Sequence, residues 1–380
     1  MYILFQIKRF LSIYWKESFL FLKTFFKKNK NTFNLENFRK TKGIPNLNKE
    51  IEIKLDKQTF NFYDLQPKNE KAFYLKSPLF TIIQNYKNKI FENLTNVINL
   101  LDYKVEIGIE LEFYITNNNQ NLDIVKELKK IITDVENIEE ERGNNQFEIK
   151  TKPYTNISQF VNDYEKIKET LNSFCAKNNL IINCEALPFN EDCGSALQLN
   201  ISLLDKSNQN LFARKNVNGN LVESDLLLSC IAGLLDNLNN NLLLYINNEK
   251  SLNRFDLEQN IKIKNLNKYP APTFVSWGIN NRSCAIRVPT PSDIKDFKEY
   301  ILKDNRHRRI EFRIPSADAD LKLVLIGILT SILNGLENNL IPIEKTSFDV
   351  LVNNEGLEII ETDYLILNDI FKIKNNYLFF

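Results

Sequence analysis

Period-two alternation is the strongest pattern in the chain. In VEIGIELEFYIT, Val105, Ile107, Ile109, Leu111, Phe113 and Ile115 take one face, while Glu106, Glu110 and Glu112 take the other. QFEIK sets Phe147 and Ile149 against Gln146 and Glu148, and ALQLNISL sets Leu197, Leu199 and Ile201 against Gln198, Asn200 and Ser202. RIEFRI sets Ile310, Phe312 and Ile314 against Arg309, Glu311 and Arg313. Each segment has a dry face to pack and a face rich in charge or amide groups. Half-buried strands of this kind predict an antiparallel or mixed sheet with helices behind it.

Three apolar runs read as helices. Ser224–Leu235 (SDLLLSCIAGLL) opens on a Ser/Asp cap signal, and Ile82–Leu101 has helical spacing. Leu323–Leu336 (LVLIGILTSILNGL) carries no charge but is too short to span a bilayer, so it predicts a buried core helix. Ile51–Tyr63 alternates only weakly. Residues 3–26 are apolar but interrupted by charge. Wound as a helix, Leu4, Ile7, Leu11, Tyr14, Phe21 and Phe25 lie on one side, opposite Arg9, Lys16, Lys23 and Lys27. The uninterrupted runs are too short for a membrane span, and no small-residue cleavage site follows. A basic amphipathic segment over residues 1–45 therefore fits docking on the body of the protein or on another subunit, contact with a membrane surface through residues 1–28, or an unstructured start.

Composition narrows the chemistry. The 380 residues carry a net charge of +1, which argues against a nucleic-acid binder. Residues 1–50 hold 11 Lys/Arg against 3 Asp/Glu, so the rest of the chain is mildly acidic. Five cysteines (175, 184, 193, 230 and 284) form no close pair and suit a reducing, cytoplasmic compartment with small buried thiols. Glycine is scarce, at 10 residues, while asparagine tracts such as 117–119 and 239–241 read as exposed-loop drift. The single histidine, His307, leaves little room for histidine-based hydrolysis or a zinc site, and points to carboxylates and arginines instead.

Glu110 and Glu112 leave one strand face about 7 Å apart, and repel by about 2 kcal/mol at an effective dielectric near 20. On an open surface this is a solvated strand face. In a cleft, the remedy is a divalent cation, Mg²⁺ or Mn²⁺ for an all-carboxylate site. The pattern recurs. Glu141 and Glu148 flank ERGNNQFE, and Arg282, Arg287, Arg308, Arg309 and Arg313 surround Glu311 in NNRSCAIRVP and HRRIEFRIP. Acids with a metal and forked cations describe a site for phosphoryl transfer.

In order, these segments resemble the catalytic domain of the glutamine synthetase family from about Val105 to Leu336. The resemblance is carried by IELEF, ERGNNQFE, ALPFNEDCGSALQLNISL, IAGLL, SLNRF, APTFVSWGINNRSCAIRVP, RRIEFRIPSADADLKL and ILTSILNGLEN. The VSWG and SADA wording is closest to the branch that γ-glutamylates amines such as polyamines. The resemblance implies an α+β catalytic domain over residues 101–380, with a curved, mostly antiparallel sheet backed by helices. Residues 46–100 read as a shortened N-terminal region, because the family's N-terminal β-grasp domain, which completes a neighbouring subunit's site, is reduced or absent. A homo-oligomer is accordingly an expectation rather than a given.

By resemblance, Glu112, Glu141 and Glu148 would hold one metal, and Glu110 and Glu311 the second, with Gln198 where the family has a metal-binding His. Arg282, Arg287 and Arg309 would contact ATP phosphates or the transferred phosphoryl group. Arg254 and Arg313 would bind the carboxylate of glutamate, with Gly194 at its amino-acid end. The implied reaction uses ATP to phosphorylate the γ-carboxylate of glutamate, then lets ammonia or an amine displace phosphate. Leu187 replaces the motif Lys, Asn200 a second His, and Ala196 a Gly. About ten extra residues lie between Phe255 and Ala271. These departures frame the alternative: a catalytically impaired relative that binds nucleotide or glutamate in a regulatory or scaffold role.

Overall fold

Strand β1 (Lys104–Thr116) is the longest in the sheet, and its odd-numbered residues from Ile107 to Ile115 are essentially inaccessible. A computed structural model describes residues 103–117, 122–215, 221–247, 249–289 and 308–361, together with parts of 87–99. The N-terminal amphipathic segment, the stretch Ile51–Tyr63, most of the region expected to replace the β-grasp domain, and His307 lie outside the described residues.

After β1 come α1 (Ile124–Ile131), the hairpin β2 (Asn137–Glu140) and β3 (Gln146–Lys150), α2 (Ile157–Lys177), β4 (Ile181–Asn183) and β5 (Leu197–Leu204). A separate ribbon pairs β6 (Ala213–Lys215) with β7 (Leu221–Glu223). Then follow α3 (Asp225–Asp236), α4 (Leu242–Tyr245), a 3₁₀ turn (Glu249–Phe255), α5 (Leu257–Asn265), β8 (Trp277–Ile279), β9 (Ile286–Val288), β10 (Ile310–Phe312) and α6 (Leu321–Asn338). The main sheet runs β2-β3-β1-β5-β10-β9-β8, with β4 also on β1, and all pairs are antiparallel except β8 with β9. This is the mostly antiparallel sheet with backing helices that the sequence predicts.

The dry face packs on helices. Tyr164 and Leu171 of α2 approach Leu111, and Tyr245 of α4 meets Phe312 edge-to-face at 5.1 Å. Helix α6 lies against α3 through glycines: a Cβ on Gly335 would sit 2.0 Å from the Ser229 carbonyl, and one on Gly233 would sit 2.1 Å from that of Ser331. Side chains at these points would hold the helices apart, so glycine is required for the contact. Among the described helices, α6 is long and apolar enough to cross a membrane, but more than half of it is buried within the fold, as the uncharged run predicts. Its N-cap, Asp320, bonds the Leu323 amide and pairs with Lys87 at 2.5 Å, tying the helical residues near 87–98 to the body.

Two expectations change. The strands are not half-buried: β3, β5 and β10 are enclosed on both faces, and Gln146, Glu148, Gln198 and Glu311 are all buried. The polar face is therefore a largely covered floor rather than a solvated surface, with Glu110, Glu112 and Asn200 half-buried. The asparagines also have a structural task. All seven non-glycine residues with positive φ among those described are asparagines, at 117, 145, 179, 208, 267, 280 and 339. Asparagine tolerates the left-handed region best after glycine, so here it takes over turns and caps that the scarce glycines would otherwise fill.

Candidate active site

This polar floor is built by register. Glu148 of β3 stands opposite Glu112 of β1 on one side and Glu139 of β2 on the other. Three carboxylates thus cross three strands in a row. Glu141, two residues past Glu139, returns to the same place at the mouth of the β2–β3 hairpin, and ligand oxygens of Glu139, Glu141 and Glu148 lie within 4.8 Å of one another. The hairpin is fixed by Asn145 at φ 63° and by the Gln146 side chain, which accepts from the Gly143 amide at 2.9 Å and donates to the Gly194 carbonyl at 3.0 Å.

Lys150, opposite Glu110 in register, reaches into the acids: its Nζ lies 2.6 Å from Glu139 Oε1 and 2.9 Å from Glu148 Oε1. Burial pushes the Glu148 carboxyl well above the usual carboxylate range, helped by the charges of Glu110 and Glu112 and opposed by Lys150. Burial likewise pushes Glu112 up to about 7, against the pull of Arg254 and the Ala196 amide.

The other half of the floor is an amide and guanidinium network. Gln198 donates from Nε2 to Glu112 Oε1 at 2.5 Å, and its Oε1 accepts from Arg313 at 3.1 Å. The second Glu112 oxygen accepts from the Ala196 amide at 2.8 Å. Asn200 donates to Glu110 at 3.1 Å and accepts from Arg309 Nε at 2.6 Å. Glu311 accepts from Arg313 at 2.8 Å on one oxygen and from Arg287 at 2.7 Å on the other. Burial would raise its pKa, but Arg313 and Arg287 outweigh that and hold it below the ordinary value.

Arg254 lies under this floor, 4 % exposed, donating to the backbone carbonyls of Ile314 and Arg313 at 2.8 and 2.9 Å. Gly194 lets it pass: a Cβ there would meet the Arg254 side chain at 3.1 Å and the Ala186 carbonyl at 2.9 Å. The same loop is held by Tyr114, whose hydroxyl donates to the Cys193 carbonyl, and by an ion pair between Asp192 and Lys268 at 2.8 Å. At the rim, Arg142 and Arg282 both stack on Tyr269, 5.0 and 5.7 Å from its ring centre.

The sequence-derived residues therefore converge. Glu110, Glu112, Glu148, Gln198, Glu311, Arg287, Arg309 and Arg313 share the floor, Glu141 stands at its edge, Arg254 and Gly194 lie beneath, and Arg282 is at the rim. Sequence reasoning missed Glu139, Lys150, Arg142 and Tyr269. For the first two the sequence carries only a weak signal: Glu139 neighbours Ile138 in a strand of four residues, and Lys150 stands two residues from Glu148.

Three clustered carboxylates suit a hard dication, and Glu139, Glu141 and Glu148 fit one that displaces the Lys150 ammonium paired with Glu139 and Glu148. Glu139 holds the place in this trio that resemblance gives to Glu112, whose oxygens are engaged by Gln198 and Ala196. The second set does not fit. Glu311 is neutralised by two guanidinium groups, one on each oxygen, and both ends of the Gln198 amide are bonded within the protein.

Residues 118–361 match the glutamine synthetase catalytic-domain family. The chain is 28% identical over 231 residues to γ-glutamylputrescine synthetase PuuA of Escherichia coli K12, covering 58% of this chain and 43% of that protein. It is 26% identical over 274 residues to a glutamate–isopropylamine ligase of a Pseudomonas species, covering 64% and 54%. It is also 30% identical over 152 residues to γ-glutamylethanolamide synthetase GlnA4 of Streptomyces coelicolor, covering 40% and 27%. The chain spans about half or less of the length of these relatives. Solved structures of apo GmaS and of its ADP complex share the fold, with TM-scores of 0.56 and 0.55 at 16% identity, over 77% and 73% of this chain and 68% and 66% of theirs. A match that takes in more than half of the 380 residues, on a sheet of this topology, makes the chain a member of the glutamine synthetase family.

Proposed function

We propose that the chain is an ATP-dependent ligase that joins the γ-carboxylate of glutamate, by way of γ-glutamyl phosphate, to ammonia or a small amine. The observation that carries this reading is the convergence of the Glu110, Glu112, Glu148 and Glu311 carboxylates with Arg287, Arg309 and Arg313 on one face of the sheet, in a family whose relatives include three glutamate–amine ligases.

In this reading Glu139, Glu141 and Glu148 would hold Mg²⁺ or Mn²⁺, which would supply charge neutralisation for the phosphate oxygens of ATP. The protein's part is positioning and electrostatics. Arg282 at the rim and Arg287 and Arg309 on the floor take phosphate oxygens. Arg313, with a buried Nε that has no hydrogen-bond partner among the described residues, takes the α-carboxylate of glutamate. Arg254 also has an unpartnered Nε and supports the same end of the substrate beside Gly194. With no histidine on the described floor, the arriving amine loses its proton to a carboxylate, and Glu112, poised near neutrality, is the candidate. We place the protein in the cytoplasm, where ATP and glutamate are available.

The test is calorimetry of the full chain with ATP and with glutamate in Mg²⁺. Binding of both followed by glutamate-dependent phosphate release on addition of an amine supports the reading, binding without release favours the regulatory alternative, and failure to bind either rejects both.

A further inference from the structure

We propose that Glu311 is a positioning residue for Arg287 and Arg313 and not a ligand for a divalent cation. The inference rests on the ligase reading only for the identity of the anions that the two arginines receive.

Glu311 is 1 % exposed and central to a cationic group. Arg309 and Arg313 flank it on its own strand, each two residues away on the same face, and Arg287 faces it in register from β9. Both carboxylate oxygens carry charge-assisted bonds, one to each of Arg313 and Arg287. The neighbouring amides are engaged as well, and one oxygen of Glu110 accepts from Asn200. Gln198 turns its carbonyl oxygen to Arg313, the one atom of its side chain able to bind a cation. Asn200 bridges Glu110 and Arg309.

Turning Glu311 to a metal would take from Arg287 and Arg313 the carboxylate they share, leaving them only the neutral oxygens of Asn280 and Gln198 as acceptors, next to an added double charge. Left in place, the carboxylate fixes both guanidinium planes and leaves the buried Nε donors of Arg287 and Arg313 without a hydrogen-bond partner among the described residues. Each donor is then oriented before an anion arrives, which is the arrangement that favours binding. The charge neutralisation that a second dication would supply falls to these arginines.

The experiment compares wild type with Glu311→Gln and Glu311→Asp by calorimetry, titrating Mn²⁺ alone and then glutamate alone, with thermal melts of each protein. The inference expects Mn²⁺ stoichiometry to be unchanged and its Kd to stay within fivefold in both variants. Glutamate should bind at least tenfold more weakly to Glu311→Gln, with part of the loss restored in Glu311→Asp. Loss of one Mn²⁺ per chain, a larger rise in its Kd, or unchanged glutamate affinity overturns it. If Glu311→Gln does not fold, Gln198→Leu tests the same set, and a Mn²⁺ site lost there overturns the inference too. A wild type that binds no glutamate rejects the ligase reading, while the Mn²⁺ comparison still decides whether Glu311 is a ligand.

Discussion

Replacing Arg254 by Met asks how much of the fold depends on one buried cation beneath the site. The guanidinium donates to the carbonyls of Arg313 and Ile314, where the chain leaves β10. Hydrogen bonds to a charged group contribute about 1.5–3 kcal/mol each, so losing two costs about 3–6 kcal/mol. Met fills most of the volume but offers no donor, leaving both carbonyls without this partner. An opposing effect reduces the loss. Burial already pulls Arg254 down to about 10, so removing the charge relieves an unfavourable desolvation. The net expectation is a destabilisation of about 3 kcal/mol. For a domain of this size that corresponds to roughly 6–12 °C in melting temperature. Urea titration followed by far-UV circular dichroism measures it, and Arg254→Lys should fall between the two because an ammonium cannot span both carbonyls as a planar fork does. A Met variant within 0.5 kcal/mol of wild type would refute the reasoning and make Arg254 free for ligand alone.

Three further outcomes are expected. Gly335→Ala places a methyl against the Ser229 carbonyl; the helix-propensity gain of about 1 kcal/mol is outweighed by overpacking, for a net loss of about 2 kcal/mol by denaturant titration. Lys150→Met removes the ammonium between Glu139 and Glu148, so Mn²⁺ should bind at least tenfold more tightly while the metal-free protein melts lower. Glu112 has a folded pKa raised to about 7 from an ordinary 4.5, so its contribution to stability is full below pH 4.5 and is lost as pH rises through 7. Between pH 5 and 8 in EDTA, Glu112→Gln should therefore gain roughly 2 kcal/mol relative to wild type, and a pH-independent difference counts against a buried, titrating Glu112.

Local pattern carried the fold well. QFEIK is β3 from end to end, LQLNISLL is β5, and Ser224 caps α3 as its position before the apolar run implies. Alternation reports which residues share a face, and it placed Glu110, Glu112, Gln198 and Glu311 together correctly. It carries no information about what covers that face. The burial of Glu148 and Gln198 depends on loops that return from far along the chain, such as residues 186–196 folding over β1 and β3 through Tyr114 and Gln146. The partner choices within the floor were hidden for the same reason. That Gln198 bridges Glu112 and Arg313 follows from pairing across strands separated by tens of residues, and that Lys150 enters the acids follows from the register of the β2–β3 hairpin. Glu139 was missed because β2 is four residues long, too short for alternation to stand out.

The central claim, a glutamate-dependent ligase, is tested most directly by phosphate release from ATP with glutamate present, over a panel of ammonia, putrescine, isopropylamine and ethanolamine at saturating Mg²⁺ or Mn²⁺. The account predicts release that requires both glutamate and one of these acceptors, matched by formation of the γ-glutamyl amide. Absence of turnover with every acceptor, or release independent of glutamate, would contradict it.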